Sequence, residues 1–117
     1  MDSGHLNAQQ AMQLLKEGNE RFRSARLQSK DVSSQRRQEL LSKGQKPFAV
    51  ILSCSDSRVP PEVIFDQALG DIFIIRVAGN VVSPIELGSI EYGTEHLHVP
   101  LLVIMGYDNC GAVKATV

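Results

Sequence analysis

Three short apolar runs dominate the second half of the chain. They cover residues 47–54 (PFAVILSC), 71–79 (DIFIIRVAG) and 100–107 (PLLVIMGY). Their apolar character is continuous rather than alternating, which is typical of strands covered on both faces and therefore of a parallel sheet. The pattern predicts a small sheet of three parallel strands.

The segments between these runs predict helices. Residues 60–70 (PPEVIFDQALG) begin with two prolines suited to a first helical turn and end at a glycine. Residues 83–97 begin with Ser83, Pro84 and Glu86, which is a capping box with proline at the first helical position. Strands and helices therefore alternate, which predicts an α/β fold with right-handed crossovers and flanking helices.

The first part of the chain predicts a helical arm. Asn7 can cap a helix whose apolar positions recur at helical spacing and form one stripe, which faces a core or a partner. The stripe contains Ala8, Ala11, Met12, Leu15 and Phe22. A second, short helix starts at Ser33 or Ser34 and ends before Gly44.

Length and composition fit one globular domain. The chain has 117 residues, of which 43% are hydrophobic, as in ordinary folded domains. We treat residues 1–117 as a single domain, with a helical arm over 1–46 and an α/β core over 47–117. Because no run approaches the roughly 18 apolar residues of a membrane span, and because the first residues have no secretory pattern, we expect a cytoplasmic protein that does not bind membranes.

The charge distribution does not point to nucleic acid. Net charge is -1, with basic residues predominating in 1–48 and acidic residues in 49–117. The basic half mixes both signs and lacks interleaved aromatic residues, so we interpret it as a solvated helical surface.

Two cysteines occupy similar places after strands. Cys54 ends the first apolar run and Cys110 follows the third. Sites in open parallel sheets form at the carboxyl ends of strands, so the two thiols can approach each other if their strands are neighbours. Asp56 and Arg58, two residues apart in CSDSR, can form an ion pair that lowers the pKa of the carboxyl group. The alternatives are two buried cysteines with no function and a turn with an ion pair.

Long stretches of the chain resemble the β-class carbonic anhydrases. They are GQKPFAVILSCSDSRVPPEVIFDQALGDIFIIRVAGNVV, GSIEYGTEHLHVPLLVIMG and CGAVKA, in which C-x-D-x-R, R-V-A-G-N and C-G-A-V-K follow in order. The resemblance implies a β-carbonic anhydrase-like fold and a zinc lyase that interconverts carbon dioxide and bicarbonate. It covers nearly the whole chain.

The resemblance also implies roles for individual residues. Cys54 and Cys110 match the two cysteine ligands of a zinc ion that is otherwise held by histidine. Asp56 and Arg58 match a catalytic dyad, in which the aspartate accepts a hydrogen bond from zinc-bound water or binds zinc itself. Gln45 matches a glutamine that positions substrate. The other matched positions, next to the metal or lining an apolar substrate pocket, are Gly111, Phe73, Ala78 and Tyr92.

The histidine ligand is missing. The family pattern is H-x-x-C, and the chain has tyrosine at its first position, Tyr107, before Cys110. A phenol has a pKa near 10 and is mostly protonated at neutral pH, and it is longer than imidazole. Three outcomes stay open. The centre is metal-free, with its thiols reduced or oxidised together; or zinc binds weakly through both cysteines, Asp56 and water; or another ligand takes part. Candidates for that ligand are Tyr107 as phenolate, Asp108, His96 and His98.

Members of this family continue past CGAVKA, so the resemblance implies that the chain is a short family member. We therefore expect a homodimer or higher homo-oligomer, with the N-terminal helix lying on the neighbouring copy. Two functions remain as hypotheses. One is an impaired zinc lyase that holds one zinc per subunit, and the other is a zinc-free, non-catalytic homologue that serves as an assembly subunit or binds a small anion near Arg58.

Overall fold

The computed structural model describes residues 6–28 and 30–116, and these ranges contain five α-helices and three strands. The helices are α1 (Ala8–Arg23), α2 (Ser34–Lys43), α3 (Pro61–Ile64), α4 (Pro84–Glu91) and α5 (Gly111–Ala115). A π-helical turn, Tyr92–His96, continues α4. The strands are β1 (Ala49–Ser53), β2 (Ile72–Arg76) and β3 (Leu102–Ile104).

The strands form one parallel sheet in the order β2-β1-β3. In this register Ile51 lies between Ile74 of β2 and Val103 of β3. Every residue of the central strand β1 is buried, as its unbroken apolar run predicts. The predicted α/β fold with a small parallel sheet is confirmed, and the segments that follow β1 and β3 leave the sheet side by side.

Helix α1 covers one face of the sheet. Ala11 and Leu15 are buried against Phe48, Ala49 and Ile51. Burying a side chain such as leucine contributes about 1.5–3 kcal/mol, so these contacts fix the arm on the core. Ala11 and Leu15 of the apolar stripe thus face the core of their own chain, whereas Ala8 and Phe22 are exposed. The expectation that this helix lies on a neighbouring copy stays a prediction.

The opposite face of the sheet has its own apolar cluster. It is built from alternate residues of β1 and β2 and from the segment before β3. Its buried members are Val50, Leu52, Ile75 and Val99, with Phe73, Val77, Ile90 and Leu97 packed around them.

The predicted helix starts are confirmed by their capping bonds. Asn7 Oδ1 accepts from the Gln10 N–H at 2.8 Å, and the Asn7 N–H donates to Gln10 Oε1 at 2.8 Å. Ser33 caps α2, which ends at Gly44 with φ at +76°, a conformation that glycine adopts at little cost. The capping box at Ser83 begins α4.

Helix α3 is much shorter than the predicted helix over 60–70. Asp66 takes φ of +49° and breaks the helix. Its carboxylate accepts hydrogen bonds from the side chain of Arg21, at 2.6 Å, and from the Gln28 N–H, at 3.1 Å. A tertiary contact with the N-terminal arm therefore overrides the local helical pattern.

Strand β3 differs from the prediction of strands covered on both faces. Leu102 is 40% exposed and Ile104 is 61% exposed. Both point to the same side, because alternate residues share a face. Within the described ranges, that side of the edge strand is left open to solvent.

None of the described helices is both long enough and apolar enough to cross a membrane.

Candidate functional site

The loop after β1 carries an ion pair. Arg58 donates from Nε to Asp56 Oδ1 at 3.0 Å and from Nη2 to Oδ2 at 3.1 Å, and its backbone N–H donates to Oδ1 at 2.8 Å. These bonds hold the pKa of Asp56 well below its usual range and raise that of Arg58. The predicted Asp56–Arg58 pair therefore forms, and the carboxylate is ionised at neutral pH.

Tyr107 reaches this loop from the segment after β3. Its hydroxyl donates to Asp56 Oδ2 at 3.1 Å and lies 3.3 Å from Cys54 Sγ, where either atom can donate. The guanidinium of Arg58 lies 5.3 Å from the centre of the ring, which is cation–π distance. The hydroxyl therefore joins the thiol of Cys54 to the carboxylate of Asp56.

The thiol of Cys54 is buried among hydrogen-bond partners. The Gly79 N–H donates to Sγ at 3.3 Å, in addition to the contact with Tyr107. The hydrogen bond with Tyr107, followed by that from Gly79, lowers the pKa of Cys54 to about 7. A phenol has one proton, so Tyr107 donates either to a Cys54 thiolate or to Asp56 while accepting from the neutral thiol.

Cys110 lies beside the same hydroxyl. It is the residue that precedes α5 and is partly exposed. The nearby Cys110 thiol is the first cause that raises the pKa of Tyr107, ahead of the contact with Cys54, and it also lowers the pKa of Cys54. Because β1 and β3 are neighbours, the segments that carry the two cysteines leave the sheet side by side, and Arg58 Nη2 donates to the Asn109 carbonyl, next to Cys110, at 3.2 Å. A shared role of the two thiols stays a prediction.

Sequence reasoning missed two residues that support the loop. Arg76, at the end of β2, donates from Nε to the Cys54 carbonyl at 2.9 Å and from Nη2 to the Asp56 carbonyl at 2.6 Å. Asn80 donates from Nδ2 to the Met105 carbonyl at 2.8 Å and ties the loop after β2 to the end of β3. The sequence feature that could have identified them is a lone arginine at the end of an apolar strand, followed by V-A-G-N.

The other predicted site residues lie in two places. Ala78 precedes Gly79, and Gly111 follows Cys110, so both belong to the edge that holds the cysteines. Gln45 and Tyr92 line a groove of about 620 Å³ between α2 and the sheet, together with Leu40 and Ile72.

The groove of Gln45 and Tyr92 is distinct from the cysteine edge, because Gln45 precedes β1 whereas Cys54 follows it. Phe73 packs on Tyr92 with ring centres 5.8 Å apart, and His96 stacks on Tyr92 at 5.6 Å. The structure therefore does not bring Gln45, Phe73 and Tyr92 to the same centre as Cys54 within one chain, and their roles stay predictions.

Comparison with known proteins identifies the chain. The sequence model of the family described as carbonic anhydrase matches residues 49–117. Carbonic anhydrase 2 of Mycobacterium tuberculosis is 54% identical over 105 residues, which are 90% of this chain and 50% of that protein. This chain belongs to the β-carbonic anhydrase family.

Solved β-carbonic anhydrases share the fold. The β-carbonic anhydrase CcaA superposes with a TM-score of 0.64 at 35% identity, over 89% of this chain and 52% of that chain. One of two tetrameric β-carbonic anhydrases from Sordaria macrospora gives 0.61 at 33% identity, over 70% and 45%. The chain spans about half the length of the relatives it matches.

Zinc is the metal that this family implies, and the residues at the centre do not fit it as they are arranged. In the part of the chain that the structure describes, no three His, Cys, Asp or Glu side chains are placed to hold a metal ion. The Tyr107 hydroxyl takes the position between Cys54 and Asp56. Its pKa is raised by its thiol neighbours and by burial, so it stays protonated and is a poor ligand. The proposed substitutes His96 and His98 precede β3, at the opposite edge of the sheet.

Proposed function

We propose that this chain comes from a carbonic anhydrase-family protein in which Tyr107 suppresses the family reaction, the reversible hydration of carbon dioxide to bicarbonate. The observation that carries the proposal is the double contact of the Tyr107 hydroxyl, at 3.3 Å from Cys54 Sγ and 3.1 Å from Asp56 Oδ2. The neutral hydroxyl thereby contacts both a thiol and a carboxylate that a metal ion would need as ligands. The centre is a closed hydrogen-bond cluster, and we propose a non-catalytic homologue.

The chemistry of the cluster supports this proposal. Bound zinc supplies a hydroxide at neutral pH by lowering the pKa of its water to about 7. In this chain Asp56 already binds Arg58 with both oxygens and accepts from Tyr107. Both oxygens of Asp56 therefore already accept hydrogen bonds, which leaves little room to orient a water molecule. What these residues do instead is hold one another in a fixed arrangement.

The test is a stopped-flow assay of carbon dioxide hydration with a pH indicator, on the protein purified without chelators. We expect a rate equal to that of buffer alone. A faster rate that a zinc chelator abolishes would contradict the proposal. A matched Tyr107→His variant supplies the missing imidazole. Activity gained by that variant alone would place the block at this one side chain.

The second candidate is the impaired zinc lyase. It is favoured by the pKa of Cys54, which is lowered to about 7 and so makes a thiolate ligand available near neutral pH. It requires the Tyr107 hydroxyl to move away so that both cysteines and Asp56 can bind zinc. The same assay separates the two candidates, because weak turnover that grows with added zinc supports this one.

A small-anion site near Arg58 has less support. Nε and Nη2 of Arg58 already donate to Asp56, and Nη2 also donates to the Asn109 carbonyl at 3.2 Å. An anion would have to compete with a carboxylate that is held by two parallel bonds.

We also propose that the protein forms a homodimer or higher homo-oligomer. Support comes from the apolar side chains exposed after β2 and in α4, of which Ile85 is 79% exposed and Val81 57% exposed. The Sordaria relatives are described as tetrameric. Light scattering should give a multiple of the subunit mass, and an Ile85→Glu variant should shift it towards one subunit. A monomer at micromolar concentration would contradict the proposal.

The cytoplasmic location stays a prediction from the sequence.

A further inference from the structure

We propose that Cys54 and Cys110 are a disulfide-forming pair that small-molecule disulfides modify reversibly. This inference goes beyond the proposed function, because it assigns a chemical reaction to a centre that we propose to be silent in carbon dioxide hydration. It concerns two thiols at one site, held by neighbouring elements of the sheet.

The fold brings the two thiols together. Leu52 of β1 pairs with Ile104 of β3, and Cys54 and Cys110 follow these residues at the same edge. Cys54 Sγ lies 3.3 Å from the Tyr107 hydroxyl, and Arg58, four residues after Cys54, donates from Nη2 to the carbonyl of Asn109, the residue before Cys110, at 3.2 Å. Both cysteines are free in the structure. A disulfide needs Cβ atoms about 3.5–4.5 Å apart, and we infer that a shift of the loop that carries Cys110 brings them to that distance.

The loops that carry the thiols differ in their freedom to adjust. Cys54 is held by the Arg76 side chain on its carbonyl and by the Gly79 N–H on its sulfur. Cys110 precedes the short helix α5, and its loop is tied through the carbonyl of Asn109, which accepts from Arg58 at 3.2 Å, rather than through the cysteine sulfur. We therefore expect Cys110 to move towards Cys54.

Exposure sets the order of the two steps. Cys54 is 3% exposed, whereas Cys110 is partly exposed. A disulfide reagent therefore meets Cys110 first, and Cys54 acts as the resolving thiol from inside the cluster. The exposed cysteine is the site of mixed-disulfide formation, and the buried cysteine ends the reaction.

The chemistry balances with a disulfide as oxidant. The Cys110 thiolate attacks one sulfur of R–S–S–R, forms Cys110–S–S–R, and releases one thiol R–SH after the leaving thiolate takes up a proton. The Cys54 thiolate then attacks Cys110 Sγ, forms the Cys54–Cys110 bond, and releases the second R–SH. The two protein thiols lose two electrons and two protons in all, and the reagent gains them. A dithiol reductant reverses both steps.

The test is peptide mapping of the protein after equilibration with oxidised glutathione, followed by alkylation of the remaining thiols and proteolysis without reduction. We expect a cross-linked pair of peptides that contain Cys54 and Cys110, two hydrogens lighter than the reduced pair. Dithiothreitol should remove the cross-link.

Two single variants test the order of the steps. Cys54→Ser should accumulate the mixed glutathione disulfide on Cys110, because the resolving thiol is gone. Cys110→Ser should leave Cys54 largely unmodified under the same conditions, with a rate at least about tenfold lower, because its sulfur is buried. Glutathione that adds to Cys54 as fast as to Cys110 would contradict the assigned order.

Zinc analysis of the same sample keeps the two proposals separate. If the protein has no zinc and no Cys54–Cys110 cross-link forms, the disulfide inference fails and the proposed function stands. If the protein holds stoichiometric zinc on these thiols, both fail.

Discussion

Gly18 in the middle of α1 offers the sharpest test of how the arm is joined to the core. A methyl group at this position would lie 1.7 Å from the carbonyl oxygen of Phe65 and 2.6 Å from its carbon. Both neighbours are backbone atoms, so no side chain can rotate out of the way. Ordinary contact between such atoms is about 3.5 Å, and α1 would therefore have to move by roughly 2 Å from the segment after α3.

That movement has a cost that can be worked from the contacts. It would break the bonds from Asn19 Nδ2 to the Ile64 carbonyl, at 3.2 Å, and from Gln67 Nε2 to the Leu14 carbonyl, at 3.4 Å. Overpacking costs about 1–3 kcal/mol, and each lost hydrogen bond costs about 0.5–1.5 kcal/mol. Alanine recovers about 1 kcal/mol of helix propensity. We expect Gly18→Ala to lower the free energy of unfolding by about 3 kcal/mol on these magnitudes.

Gly88 is the matched control. It is also inside a helix, α4, but a methyl group there meets no atom of the described residues within 4 Å. Gly88→Ala should therefore raise the free energy of unfolding by about 0.5–1 kcal/mol. Urea unfolding followed by circular dichroism measures both variants. If Gly18→Ala matches the wild type within about 0.5 kcal/mol, or is stabilised as Gly88→Ala is, the close approach of α1 to Phe65 is refuted.

Two further predictions concern the centre and the arm. Tyr107→His should bind zinc when equimolar zinc is added, because it supplies a neutral nitrogen donor. Tyr107→Phe, which only removes the hydroxyl, should not bind zinc. Equal zinc uptake by both variants in equilibrium dialysis would contradict this prediction and would mean that the hydroxyl alone blocks the site. Burial opposes ionisation of Asp66, but the bonds from Arg21 and Gln28 outweigh it and hold the pKa below its ordinary value of 3.8. Because the folded pKa is lower than the unfolded one, this stabilisation is complete above the unfolded pKa, near pH 4, and is lost as pH falls through the folded value. The difference in urea midpoint between wild type and Asp66→Asn should therefore shrink as pH is lowered below about 4, and a difference that stays constant with pH would contradict it.

The local patterns of the sequence predicted the elements that depend on near neighbours. The unbroken run of β1 gave a fully buried central strand. The capping residues Asn7, Ser33 and Ser83 begin helices where they were expected to, because each of these starts is fixed by a hydrogen bond between residues three apart.

Long-range contacts explain the differences. Asp66 ends α3 early because a carboxylate that binds Arg21 on the arm favours a conformation that no local pattern encodes. Ile104 is exposed because its strand lies at the edge of the sheet, which hydrophobic periodicity alone does not reveal.

The sequence predicted which residues belong to the candidate site but not the hydrogen bonds between them. The spacing of Cys54, Asp56 and Arg58 identified the loop, and the order of strands then brought Cys110 beside it. The sequence showed that Tyr107 stands where a histidine is expected, but the choice of partners for its hydroxyl is a property of the folded centre.

Elemental analysis of the wild-type protein, purified without chelators and dialysed against trace zinc, tests the central claim most directly. A hydroxyl that joins Cys54 to Asp56 leaves no complete set of zinc ligands at this centre. We therefore predict less than about a tenth of an equivalent of zinc per chain. About one equivalent, lost when Cys54 or Cys110 is changed to serine, would contradict the account.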